Sequence, residues 1–161
     1  MTTLSEIKTI LCPYDFSDAC RVILRESVGL AATLGAELHV LHVVVTPPMV
    51  TLTPSEAIPS PPIDAAEFLE VVRTNRTSEI ETELRRIGPT GKTTIAFKDG
   101  LQADLAILEY AESAGVGLIV MAKQARAAIS RLLLGSTTER VLRHASCPVL
   151  VIPVPEPRKT S

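Results

Sequence analysis

The stretch VMAKQARAAISRLLLGSTTERV, residues 120–141, gathers residue types that handle phosphate. Lys123, Arg126 and Arg131 are cations able to pair with phosphate oxygens. Gly135, Ser136 and Thr137 stand where a helix would begin, and the backbone N–H groups of a helix start attract anions. An apolar, strand-like end precedes them, so the order is strand, basic loop, helix. A loop that wraps phosphate usually carries several glycines, because its backbone must come close. Here Gly135 is the only glycine of the stretch, and alanines stand at 122 and 125. The same residues also fit a solvated basic loop with Ser136 serving only as a helix cap.

Other candidates for chemistry are weaker. GPTGKTT, residues 88–94, evokes a phosphate loop, but the first glycine of that motif would fall on Arg86. It also runs from helix to strand rather than from strand to helix, so it reads as a turn. No GxGxxG follows the first strand, and no GxSxG elbow occurs. His39 and His42 lie three apart in a strand, so they face opposite ways and cannot share a metal. His42 reads as a hydrogen-bonded, buried histidine, and His144 as a cation suited to a helix end. Cys12, Cys20 and Cys147 have no metal or CxxC spacing. Cys12 and Cys147, beside apolar runs, read as small buried hydrophobes. Asp15 falls just after the first strand, where it serves either a ligand or the turn before the first helix.

The elements that would position these residues alternate. IKTILCP opens with an apolar run, and Ser17 can cap a helix that Gly35 ends, with Val22, Ile23, Leu30, Ala31 and Leu34 at helical spacing. ELHVLHVVV is apolar and β-branched, a buried strand. Six prolines, from Pro47 to Pro62, make residues 46–62 a proline-rich loop. A long helix is predicted from Asp64 to Gly88, with Leu69, Val72, Ile80, Leu84 and Ile87 on one face and the pairs Glu70–Arg73 and Glu81–Arg85 on the wet side. TTIAFKDG is a third strand. The next helix carries Leu105, Leu108 and Ala111 in register and closes at Gly115. GLIVMA is a fourth strand. Ser136-Thr137-Thr138-Glu139 has the form of a capping box for a fourth helix, and PVLVIPV is a fifth strand. Residues 155–161 read as a frayed tail. Strands alternating with helices predict an α/β fold, a parallel sheet with helices on both faces, in one domain spanning residues 1–161.

Composition bounds the function. Hydrophobic residues make up 46% and aromatics 3% of 161 residues, which suits a buried parallel sheet and leaves few rings to stack on bases. With 16 basic against 18 acidic residues, nothing calls for nucleic acid or an anionic membrane. No secretory signal and no spanning segment is read, which places the expected location in the cytoplasm.

Taken together, ILCPYDFSD, LHVVV and above all SRLLLGSTTERVLRHASCPVLVI resemble the universal stress protein family over nearly the whole chain. The resemblance implies an adenine-nucleotide α-hydrolase-like sheet in strand order 3-2-1-4-5. The nucleotide-binding branch of that family carries glycine, two residues, glycine, nine residues, then Gly-Ser or Gly-Thr. This chain keeps the spacing from Ala122 through Ala125 to Gly135 and Ser136, with both early glycines replaced. The implied cofactor-binding set is Pro13, Asp15, Val43, Ala122, Lys123, Ala125, Arg126, Gly135, Ser136 and Thr137. Asp15 and Val43 would meet adenine or ribose, and the loop from Ala122 to Ala125 would wrap the phosphates. An alanine forced into a left-handed backbone costs about 1–2 kcal/mol, roughly tenfold in affinity at each site.

The expected function is therefore a binding module of the stress response with a degenerate loop and weak or no ATP binding. The alternative is an ATP-binding regulator with slow hydrolysis or autophosphorylation. No nucleophile paired with a base stands out, so an enzyme is not favoured. Mg²⁺ is expected only if ATP binds. The resemblance also implies a homodimer through the fifth strand, at about residues 148–154. The proline-rich loop serves as a stiff spacer or as the contact for an unknown protein partner.

Overall fold

The computed structural model describes residues 6–45, 65–89, 91–123 and 134–154, without the side chains of Ala65, Ala66 and Phe68. The proline-rich loop, the residues Ala125, Arg126 and Arg131, and the tail at 155–161 lie outside the described residues. In chain order the elements are β1 (Thr9–Pro13), α1 (Asp18–Leu34), β2 (Glu37–Val45), α2 (Ala65–Ile87), β3 (Thr93–Gly100), α3 (Ala103–Ser113), β4 (Leu118–Lys123), α4 (Ser136–His144) and β5 (Val149–Pro153).

The strands form one sheet in the order β3-β2-β1-β4-β5, and every pairing is parallel. Successive strand residues point to opposite faces, and the core divides accordingly. Ile10, Cys12, Leu38, Val40, Val120 and Ala122 pack on one face with Ile23, Leu24 and Val28 of α1 and Ile80 and Leu84 of α2. Leu11, Leu41, Ile119 and Met121 pack on the other with Ile107 and Ala111 of α3 and Val141 of α4. Both faces are covered, which is why the strands read as continuous apolar runs.

Local signals account for several boundaries. The Ser17 hydroxyl accepts the Cys20 backbone N–H at 3.2 Å, the side-chain cap expected at the start of α1. Gly35 ends that helix at φ +64°, a left-handed turn that glycine adopts without cost. The expected apolar faces are only partly right. Val22 of α1 and Leu105 of α3 are 40% and 52% exposed, whereas Leu24, Val28, Ala106 and Ile107 are buried in their place. In α2 the Glu81–Arg85 pair forms at 3.8 Å, but Arg73 crosses to Asp99 on β3 at 2.9 Å. The predicted capping box at Ser136 also shifts by one residue. Gly135 occupies the N-cap with extended backbone, Ser136 is the first helical residue, and Glu139 donates its N–H to the Gly135 carbonyl at 2.9 Å.

The two strand histidines have separate neighbourhoods. His39 lies between Glu37, at 3.1 Å from Nε2, and the Tyr110 hydroxyl, at 2.9 Å from Nδ1. With Lys92 and Thr94 also on the Glu37 carboxylate, this chain fastens α3 to β2 and β3. His42 sits on the other face, its ring 4.8 Å from Phe16 and 6.0 Å from Phe97.

Candidate ligand cavity at the sheet switch point

The chain runs outward from β1 to β2 and β3, then returns to place β4 on the other side of β1. Where strand order reverses, the loops at the carboxyl ends of the two strands diverge and leave a crevice. A cavity of about 250 Å³ lies there. Pro13, Tyr14 and Asp15 line it from the end of β1, His42, Val43 and Val45 from β2, and Met121 and Ala122 from β4. Gly135 to Thr138 close it at the start of α4, and Ala103 and Ile107 of α3 form a further wall.

Seven of the ten residues named from the sequence therefore meet at one cavity: Pro13, Asp15, Val43, Ala122, Gly135, Ser136 and Thr137. Lys123 is the last residue of β4, paired with Pro153, and is not among the lining residues. Ala125 and Arg126 lie outside the described residues. Cys20, Leu41, Ala103, Ile107, Met121 and Thr138 line the cavity without having been singled out. Thr138 was legible only as part of a cap. Its hydroxyl instead donates to the Ala122 carbonyl at 3.3 Å, tying α4 to β4.

Ala122 bears on the cost assigned to its missing glycine. It continues the β4 ladder opposite Ile152 and packs into the core on the α1 face. Among the described residues the non-glycine residue with positive φ is Phe16, not Ala122. The left-handed penalty expected for alanine thus does not arise at position 122.

The turn that carries Asp15 is tight. Asp15 Oδ1 accepts the Ser17 backbone N–H at 2.9 Å, while Ser17 caps α1. The turn reading and the ligand reading of Asp15 are thus compatible. Burial pushes the Asp15 carboxyl up, but hydrogen bonds from the Cys20 and Ser17 side chains and from the Ser17 and Asp15 backbone outweigh it and hold the group below its usual range. The Cys20 thiol lies 3.8 Å from the Pro13 carbonyl, and burial followed by the Asp15 carboxylate drives its pKa to about 11. Cys20 is accordingly a protonated wall and not a nucleophile. Cys12, fully buried, is pushed to about 12 by burial.

Phe16 at φ +66° is a bulky residue in a conformation that glycine prefers. Its ring is held on three sides, by Tyr14 at 4.9 Å, by His42 at 4.8 Å and by the Arg76 guanidinium at 4.3 Å. His42 in turn places Nδ1 2.8 Å from the Tyr14 carbonyl, which as an acceptor requires the proton on Nδ1. Burial keeps the His42 pKa below the ordinary histidine value. The hydrogen bond expected from the sequence is found, but His42 is half-buried rather than buried.

The start of α4 offers a second kind of polar group. At α1 the N-cap side chain satisfies a helix N–H, but the N-cap residues of α3 and α4, Gln102 and Gly135, make no such bond. Both helices begin at the cavity.

Residues 6–153 match the universal stress protein family. The chain belongs to this family. Universal stress protein MJ0531 of Methanocaldococcus jannaschii is 29% identical over 151 residues, covering 92% of this chain and 84% of that protein. Among solved structures, universal stress protein UspA from Lactobacillus plantarum superposes with a TM-score of 0.64 at 27% identity, over 91% of this chain and 97% of that one. A universal stress protein in complex with cAMP shares the fold, with a TM-score of 0.61 at 20% identity over 91% and 96% of the two chains. Among the described residues no helix is long and apolar enough to cross a membrane.

Proposed function

We propose that this universal stress protein acts by binding, and that its cavity takes an adenine nucleotide. The carrying observation is the pairing of two kinds of wall across one crevice. On one side Asp15 and the backbone around Val43 offer groups for a ribose and a base. On the other, the start of α4 at Gly135–Thr138, without an N-cap side-chain bond, offers backbone N–H groups for phosphate. A volume of about 250 Å³ suits a nucleoside, with the phosphates at the start of α4. The backbone at Ala122 poses no obstacle, which moves the balance from a lost site toward a weakened one.

Asp15 is the acidic residue among those lining the cavity. Mg²⁺ would therefore arrive with the nucleotide, held chiefly by its phosphates. Gly135, Ser136 and Thr137 would bind and orient the phosphates, Asp15 would accept from ribose hydroxyls, and Val43 would meet the base. We also propose a cytoplasmic location and, as the family resemblance implies, a homodimer joined through β5. That strand pairs with β4 on one side only, leaves Leu150 40% exposed, and is blunted at its end by Pro153.

Calorimetric titration with ATP, ADP and AMP tests the binding claim. The expected result is saturable binding in the range of tens to hundreds of micromolar, roughly −5 to −6 kcal/mol, lost on Asp15→Ala. Absence of binding by all three nucleotides would return the protein to the reading of a module that has kept the cavity's shape and dropped the ligand.

A further inference from the structure

Asp104 is nearly buried, its side chain 8% exposed, in the first turn of α3. A carboxylate is costly to take out of water unless a partner compensates it. Its ion-pair partner is Arg140 of α4, 3.5 Å away and 57% exposed. The two residues sit beside the cavity without lining it. Asp104 follows Ala103 and precedes Ile107 by three residues, and both of those are wall residues. Arg140 lies four residues, about one helical turn, beyond Ser136.

α4 is short, nine residues, and its described polar ties to the rest of the molecule are few. Thr138 donates to the Ala122 carbonyl at a long 3.3 Å, Val141 is fully buried, and Arg140 reaches Asp104. Glu139 and Arg143 pair with each other along the helix at 2.8 Å and leave its position free. Anion recognition by a helix start depends on N–H groups held within about 0.5 Å of the productive geometry. We propose that Asp104, through Arg140, is a positioning residue that sets the start of α4 against the cavity and so determines how tightly the phosphate portion of the ligand is held. This rests on the nucleotide reading given above.

The sign of one substitution separates positioning from simple charge. Asp104 is negative and near the cavity, so its charge alone would repel phosphate, and Asp104→Asn would then raise ATP affinity. Positioning requires the reverse. Calorimetry with ATP and with adenosine, on the unsubstituted chain, Asp104→Asn, Arg140→Met and the double variant, makes the test. The expected result is a loss of about tenfold in ATP affinity for either single variant, no change for adenosine, and no further loss in the double variant, because one linkage is broken in all three. The Arg140→Met loss should also persist in high salt, where an exposed cation's own pull on phosphate is screened.

A rise in ATP affinity with Asp104→Asn, or equal losses for ATP and adenosine, would overturn the proposal. If Asp104→Asn does not fold, Arg140→Met, at the exposed end of the pair, carries the ATP-against-adenosine and salt comparisons, and a loss that vanishes in high salt overturns it. Binding that survives every variant removes this proposal alone. Absence of ATP binding in the unsubstituted chain removes the nucleotide reading and this proposal with it.

Discussion

Phe16 gives a prediction in which two effects oppose each other. Its backbone at φ +66° costs a non-glycine residue about 1–2 kcal/mol. Its ring offsets this through edge contacts with Tyr14 and His42, each worth about 0.5–1.5 kcal/mol, and through the Arg76 guanidinium over its face, at about 0.5–1 kcal/mol. Phe16→Ala removes the ring and keeps the strain, while Phe16→Gly removes both. At an ordinary position glycine is less stable than alanine by about 0.5–1 kcal/mol, from the entropy of the unfolded chain. Here relief of the left-handed strain exceeds that entropy, so Phe16→Gly should be the more stable of the two by about 0.5–1 kcal/mol. Both should be less stable than the parent. Urea unfolding at constant m-value measures the order, and thermal unfolding should separate the two variants by about 2–4 °C per kcal/mol. Alanine equal to or better than glycine at position 16 would refute the reasoning, because the strained turn presenting Asp15 would then be absent.

Three further expectations follow from neighbouring features. Ser17→Ala removes the cap of α1 and should cost about 1 kcal/mol in urea unfolding, whereas Ser17→Asp should keep most of it. Asp15 has a folded pKa below its unfolded value of about 3.9, so its ionised form favours the fold at neutral pH and that contribution fades as pH falls below about 4 through the folded value. The stability gap between the parent and Asp15→Asn should therefore be flat from neutral to mildly acidic pH and narrow only in that acid range; a gap that widened on acidification would contradict the sign. Leu150→Asp on the exposed edge of β5 should convert a dimer to a monomer in light scattering at tens of micromolar, a concentration chosen only to order of magnitude because dimer populations follow mass action.

The sequence made the sheet legible because its strands are buried on both faces and its helices end at recognisable signals such as Ser17 and Gly35. Strand order came from the family resemblance, since periodicity does not say which strand neighbours which. The face of α3 was misplaced at Leu105 alone, because Ala103, Leu105, Ala106, Ile107, Leu108 and Ala111 spread apolar residues around the helix. Ala111 and Leu108 pack in the core as expected, but Ile107 and Ala106 are buried where Leu105 was expected. The Ser136 cap was displaced by one residue because Gly135 can itself hold the N-cap with extended backbone. Cys20 and Thr138 escaped notice as cavity residues because each has a sufficient local role in its helix. The Asp104–Arg140 pair was invisible for a different reason: it joins two helices whose contact is a product of the fold.

The crevice between β1 and β4 is proposed to bind nucleotide through Asp15 and Val43 on one side and the start of α4 on the other. Amide chemical shifts recorded by NMR during titration with ATP test it most directly. Saturable shifts are expected, concentrated at Asp15, Val43 and Gly135–Thr138, with β3 and the middle of α2 unmoved. Shifts confined to another face, or none at millimolar ATP (an order-of-magnitude ceiling of about −4 kcal/mol), would contradict it.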